Sequence, residues 1–435
     1  MSFLRHLGFF AVGRFYLSLT LFVIGVLTAR WLGPEGRGYY ALLFTVVGLA
    51  SNAANIGLSQ ANTYFLNRKN TGLGTLTGNT MAFLFVAAFI FAVGLVMVGG
   101  MFGESPFGIP GREAWLLAWF GILALLTEAS FRGLILGSHL YDFQSCCLFV
   151  QATLLLLATL LINPWGGSLE IALELRVYAM VLFAAGYVAA FRIKVGSISP
   201  KLVVSCLRKQ LSFGVRNWFQ NLIGFLNYRG YLLVLGSLAG PEAMGIFSVA
   251  LLFVEAVRFL PDTVSTILLP KLVGMEVGPA TGEYAAMTCR VIIFISLLLA
   301  GGLFVLAPWV VPALFGNVFR EGVTVAQILL VGAVFGIVYQ VLTRYFTSEA
   351  KQSYSIYSAL LALVTAGILS FFLVPKLGAE GAAFAFAASS LTAAVSMLMA
   401  FRRHTGLPIL RVLVLMREDW KRGLNLLAGR ASTNA

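Results

Sequence analysis

Apolar runs of about 20 residues recur from one end of this chain to the other, each long enough to cross a bilayer core of roughly 30 Å as a helix. Nothing else constrains the fold as tightly. Hydrocarbon offers no water to backbone N–H and C=O groups, so a spanning segment must satisfy them within a helix or a closed barrel. The runs are continuous rather than alternating, which selects helices. Of 435 residues, 59% are hydrophobic and 11% charged, where soluble domains carry about 25% charged residues. The runs predict twelve spans, at approximately 15–32, 39–62, 76–101, 114–138, 143–163, 172–191, 215–239, 244–269, 288–312, 323–347, 354–374 and 381–401. The expected fold class is therefore an all-α polytopic membrane protein. The N-terminus carries no cleavable signal pattern, because Arg14 interrupts its apolar stretch.

A repeat organises these spans. Gly33-Pro34-Glu35-x-x-Gly38-Tyr39-Tyr40 returns as Gly240-Pro241-Glu242-x-x-Gly245-Ile246-Phe247. Leu4-Arg5 with Val12-Gly13-Arg14 aligns with Leu207-Arg208 and Gly214-Val215-Arg216, and Asn163-Pro164-Trp165-Gly166-Gly167 with Val374-Pro375-Lys376-Leu377-Gly378. Duplicated hydrophobic halves are characteristic of transporters. The expected organisation is a six-helix bundle over 1–192, a basic cytoplasmic linker over 193–214, a second bundle over 215–401 and a basic cytoplasmic tail over 402–435. Linker and tail each have the composition of an amphipathic segment lying on the inner leaflet. The Gly-Pro-Glu motif reads as the first external turn of each half.

Charge sets the orientation. The net charge is +13, and in a chain this apolar it reports basic cytoplasmic loops and anionic lipid rather than nucleic acid. With both termini inside, seventeen basic residues fall on the cytoplasmic side and four on the other. An even number of spans with both ends in the cytoplasm is the expected topology.

Nine arginines are left in or at the edge of spans: Arg14, Arg30, Arg132, Arg176, Arg216, Arg229, Arg258, Arg290 and Arg344. Only Glu128, Glu174, Glu255 and Asp262 share that zone. A charge at the centre of a membrane helix costs roughly 2.5–3.5 kcal/mol, so such residues face protein or a watery cavity. The surplus is positive and composed wholly of arginine, whose planar fork matches phosphate. Arg30, Arg176 and Arg290 lie near span ends and fit snorkelling to head groups. Arg132, one turn after Glu128, fits an ion pair. Arg14, Arg216, Arg229 and Arg344 have no carboxylate on their own helix and are candidates for lining a pathway. Glu255, Arg258 and Asp262 share a face of the eighth span, where pairing and a functional stripe are both open.

Amides follow the same faces: Asn52 and Asn55 on the second span, Gln220, Asn221 and Asn227 on the seventh, Gln340 on the tenth. Such stripes act as helix-to-helix glue or as partners for sugar hydroxyls. Glu128, Glu255 and Asp262 are the candidates for ion coupling or charge pairing. No phosphate-binding G-x-x-x-x-G-K-[ST] occurs. Three histidines and four cysteines are scattered without metal-ligand or disulfide spacing, so no catalytic residue, metal site or cofactor is expected.

Ala29-Arg30-Trp31-Leu32-Gly33-Pro34-Glu35, Tyr39-Tyr40-Ala41-Leu42 and Asn55-Ile56-Gly57-Leu58 resemble the first hairpin of the bacterial oligosaccharide (O-antigen type) flippases, of the multidrug/oligosaccharidyl-lipid/polysaccharide exporter superfamily. Phe225-Leu226-Asn227-Tyr228-Arg229, Leu238-Ala239-Gly240-Pro241-Glu242, Gly245-Ile246-Phe247-Ser248-Val249-Ala250, Leu260-Pro261, Leu269-Pro270 and Gly378-Ala379-Glu380-Gly381-Ala382-Ala383 extend the similarity over nearly the full length. One place departs: Gly230 and Tyr231 follow Arg229 where family members often carry an acid. The resemblance implies two six-helix bundles forming a V around a central cavity and alternating access. It implies an undecaprenyl-pyrophosphate-linked oligosaccharide as substrate, with Arg14, Arg132, Arg216, Arg229, Arg258 and Arg344 toward anionic groups and the amides toward hydroxyls. Membrane lipids are partners throughout, and a polysaccharide polymerase with other assembly proteins would act alongside. Two alternatives remain open: a cation-coupled multidrug exporter of the same superfamily, and a membrane component of polysaccharide assembly, catalytic or not.

Overall fold

A computed structural model describes residues 2–68, 71–102, 114–164, 167–196, 199–273, 275, 278–349 and 351–416. Among these residues all regular structure is helical. The elements are α1 (Ser2–Asn55), α2 (Leu58–Arg68), α3 (Leu73–Phe102), α4 (Ala114–Gly137), α5 (Tyr141–Leu160), α6 (Leu169–Val195), α7 (Val204–Leu238), α8 (Gly240–Val273) and α9 (Pro279–Phe315). After a 3-10 turn (Asn317–Phe319) come α10 (Gly322–Ser348), α11 (Ser353–Thr405) and α12 (Ile409–Leu413). Nine helical stretches among the described residues are long and apolar enough to cross a membrane, two of them about fifty residues long. The chain is a multi-pass membrane protein.

The two longest helices are broken where glycine permits it. Gly33 has φ 68° and Gly378 has φ 53°, a left-handed region that glycine alone enters at little cost. In the second repeat Gly240 has φ 86° at the junction of α7 and α8. Pro34 and Pro241 follow, at the first turn of the new helix, where a missing N–H is harmless. The motif read as an external turn is thus a helix break in both copies. The seventh span, expected at 215–239, falls within α7 up to Leu238 but is not among the nine stretches long and apolar enough to cross a membrane. Its arginines and amides lower its hydropathy. α7 also begins at Val204, within the segment expected as linker, and α12 is the only helix that begins in the described part of the tail. Residues 417–435 of the tail lie outside the described residues.

The helices group into two compact units, residues 1–249 with 314–319, and residues 250–313 with 320–435. In the first, Ala61, Phe65 and Leu76 pack with Phe131, Leu134, Ile135, Cys147, Phe183, Tyr187 and Phe191, joining α2 to α6. The two repeat motifs meet inside this unit. A Cβ on Gly38 would stand 2.7 Å from the Pro241 carbonyl carbon, and one on Gly245 would stand 2.7 Å from that of Pro34. Each glycine therefore opens room for the other copy's proline, a reciprocal contact like that at a twofold interface.

A buried polar network ties the start of α7 to the same unit. Gln210, fully buried, donates from Nε2 to Asn62 Oδ1 at 2.7 Å and accepts from Asn79 Nδ2 at 2.7 Å. Asn62 donates onward to Thr80 and to the Ser130 carbonyl, and the Val203 amide donates to Asn79 Oδ1 at 2.9 Å. Every amide of this trio is bonded, which is what a low-dielectric interior demands.

In the second unit α10 and α11 approach closely at Gly332, where a Cβ would lie 2.8 Å from Ala387 Cα. The chain after α11 folds back on α9. Arg290, only 3% exposed, donates to the Arg411 carbonyl at 2.8 Å and pairs with Glu283 at 3.5 Å. Snorkelling does not describe Arg290, because its guanidinium is held inside protein by two acceptors.

Candidate functional site

The sequence-predicted residues distribute over both units, and each group has its own local order. In the first unit α4 presents Glu128 and Arg132 as a direct ion pair one turn apart. The carboxylate is buried while the Arg132 side chain is 44% exposed. Gln151 of α5 donates to the second Glu128 oxygen at 2.8 Å. Glu128 is thereby held by two helices, and Arg132 projects its remaining donors from a fixed base. Asn55, at the end of α1, donates weakly to Ser130 Oγ at 3.5 Å and accepts from the Ser59 amide at 3.4 Å. Asn52 donates to the Gly48 carbonyl of its own helix at 3.2 Å. Arg14 sits half-buried on α1.

On α7, Gln220, Asn227 and Arg229 are half-buried and Asn221 is exposed. The Arg229 guanidinium lies 5.7 Å from the Tyr228 ring centroid, within cation–π range. The backbone of Arg216 is helical, but its side chain lies outside the described residues.

In the second unit Glu255, Arg258 and Asp262 are all partly exposed along α8. Gln340 of α10 donates to Asp262 in a short hydrogen bond, so two predicted residues from distant parts of the chain do meet. Arg344, half-buried, follows Gln340 by one turn on α10. The spacing in the sequence places these two on one face but cannot show that Asp262 shares it.

Arg37 carries no obvious sequence signal, and Arg176 has contacts that its position near a span end does not announce. Arg37 donates to Thr28 at 2.8 Å and Arg176 to the Tyr40 hydroxyl at 2.9 Å. Both guanidiniums flank the Tyr40 ring, at 5.3 and 5.4 Å from its centroid, and Arg176 also lies 4.5 Å over Phe44. Arg176 is therefore engaged with aromatic side chains. Gln151 and Gln210 are likewise unannounced: a lone glutamine in an apolar helix declares a buried bond only when its partner is known. Among the described residues no three metal-type side chains gather.

The arrangement offers guanidiniums and amides on long helices, suited to binding anions and hydroxyls. Residues 27–324 match a family described as "Polysaccharide biosynthesis protein". The chain belongs to that family. A search of curated proteins gives no match. Among solved structures, the chain is similar to the lipid II flippase MurJ in an inward closed conformation, with TM-score 0.73, 13% identity and coverage of 98% of this chain and 93% of that one. It is also similar to an inward-facing multidrug resistance MATE transporter of the MOP superfamily, with TM-score 0.68, 16% identity and coverage of 90% and 94%. A MOP superfamily transporter from Pyrococcus furiosus matches at TM-score 0.59 and 13% identity, covering 93% and 95%. At these identities the likeness establishes a shared fold.

Proposed function

We propose that this protein is a flippase that moves an undecaprenyl-pyrophosphate-linked oligosaccharide from the cytoplasmic to the outer leaflet, by alternating access, for surface polysaccharide synthesis. One observation carries the reading: a chain of the polysaccharide biosynthesis family has the fold of a lipid II flippase. A glycan assembled on a lipid inside the cell must cross the membrane, and this fold is one that transports. The charge surplus in the spans supports it. A pyrophosphate of about two charges moving outward across an inside-negative potential gains roughly 2.3 kcal/mol per charge per 100 mV. Arginines lining a pathway therefore need only lower the desolvation barrier. The twelve-span, two-bundle V is part of the proposal. Its support is that Gly33 and Gly378 each divide a long helix into two rods of spanning length. The inner membrane, with both termini cytoplasmic, rests on the basic loops.

The test is reconstitution. Proteoliposomes containing the purified protein and a fluorescent undecaprenyl-pyrophosphate oligosaccharide should expose the label to an outside quencher faster than empty vesicles. Equal rates would refute the proposal. The likeness to a multidrug transporter favours a second reading, an exporter coupled to an ion through Glu255 and Asp262. Ion-dependent uptake of an organic cation by inverted vesicles would establish that one instead.

A further inference from the structure

The first three turns of α7 carry a feature that the pathway arginines do not explain. Val204, Ser205, Arg208, Lys209, Ser212 and Phe213 line a shallow, open groove along the helix. Ser205, Arg208, Lys209 and Ser212 stand at i, i+3, i+4 and i+7, on one helical face, and all four are exposed. Two cations flanked by two hydroxyls supply the donors that a phosphate needs. The sequence around them brings no competing acid. Between Glu174 and Glu242 the chain holds eight basic residues and no acidic one.

The groove is also rigidly placed. On the opposite side of the same turns Gln210 is fixed by Asn62 and Asn79. Phe213 stacks on Tyr64 with ring centroids 4.2 Å apart, and the Lys201 amide donates to the Gly74 carbonyl at 3.1 Å. Around the polar stripe the exposed surface is apolar: Leu202 is 57% exposed, Val204 67% and Val215 45%. A free phosphate has no use for such a rim, whereas a phosphate on a hydrocarbon chain does.

We propose that the Ser205–Arg208–Lys209–Ser212 stripe is a loading site for the pyrophosphate of a polyprenyl-linked substrate, on the membrane side that the basic loops assign to the cytoplasm. The site rests on the proposed function for the identity of its ligand. It binds the head group before the substrate meets the arginines farther along α7, which belong to the same helix and begin two turns later at Arg216.

The experiment uses the full-length protein in neutral-lipid nanodiscs with a photoreactive undecaprenyl pyrophosphate, and maps the cross-linked peptides. The expected result is label on residues 204–213 that undecaprenyl pyrophosphate competes away and phosphatidylglycerol or inorganic pyrophosphate does not. In R208Q/K209Q the yield at that peptide should fall about tenfold per cation removed, and S205A/S212A should lower it less. Because these side chains are exposed, the melting temperature of each variant should stay that of the parent. Unchanged label in R208Q/K209Q overturns the site, and equal competition by phosphatidylglycerol shows a general head-group surface and overturns it too. Intact flipping with no label at 204–213 removes the loading site and leaves the function standing. Label that depends on the two cations, without any flipping, does the reverse.

Discussion

Replacing Gly38 by alanine should separate two helices that the repeat brings together. The added Cβ would lie 2.7 Å from the Pro241 carbonyl carbon and 3.1 Å from the Gly245 nitrogen, against an optimal carbon–carbon separation of about 3.5–4.0 Å. The backbones must part by about 1 Å, and neither can yield as a flexible side chain would. Overpacking of a side chain costs about 1–3 kcal/mol, so two colliding backbones place G38A at about 3 kcal/mol or more. Gly245→Ala meets the same obstacle, 2.7 Å from the Pro34 carbonyl carbon, and should cost a similar amount. The double variant should cost less than the sum, because a separation forced at one contact relieves the other; a coupling of about 1 kcal/mol or more is expected. Gly301→Ala serves as the control. Nothing lies within 4 Å of its added Cβ, and alanine in a helix is favoured by about 0.5–1 kcal/mol. Thermal unfolding in detergent, followed by loss of the monodisperse peak, measures all four. Parent-like melting of G38A, or strict additivity in the pair, would refute the reciprocal packing.

Gln210→Leu removes a side chain that satisfies two buried amides, so a loss of about 2–4 kcal/mol in stability is expected; melting at the parent temperature would show that the network contributes nothing. Arg229→Ala and Arg344→Ala should each slow reconstituted flipping at least tenfold at equal amounts of folded protein, and R229K should recover only part of the rate because it lacks the fork. Rates equal to the parent's in both alanine variants would remove them from the pathway. Burial raises the Cys206 thiol above its usual range, with Lys209 opposing, so its thiolate is scarce at neutral pH. In a variant retaining only this cysteine, maleimide labelling should therefore rise about tenfold per pH unit to beyond the ordinary thiol pKa of about 8.5; a plateau below that point contradicts the burial.

Element type was legible in the residues for most of the spans, although α7 begins inside the expected linker and the span expected at 39–62 is divided between α1 and α2. Spans at 114–138 and 323–347 coincide closely with α4 (Ala114–Gly137) and α10 (Gly322–Ser348), because an apolar run of that length has one economical way to satisfy its backbone. The breaks were half-legible. Gly-Pro-Glu announced an interruption, but whether it opens into a loop or a sharp kink depends on a single φ at Gly33. Of the candidate site, Glu128 with Arg132 was readable from i, i+4 spacing. The third member, Gln151, was not, since its partner lies on another helix. Asp262 and Gln340 were both singled out, yet their bond joins positions 78 residues apart.

The sequence alone determined that this chain crosses a membrane many times as helices, that it is a duplicated unit and that its spans carry surplus positive charge. Those are properties of local composition, period and repetition, and they survive any packing. Only the tertiary structure decided which partners meet. It set Gly38 against Pro241 and Gly245 against Pro34, buried Arg290 under the returning C-terminal segment, and fixed one face of α7 through Gln210 so that Arg208 and Lys209 stand exposed on the other. Such choices depend on distances between helices, and an apolar helix offers many faces to its neighbours until the small residues and buried hydrogen bonds select one.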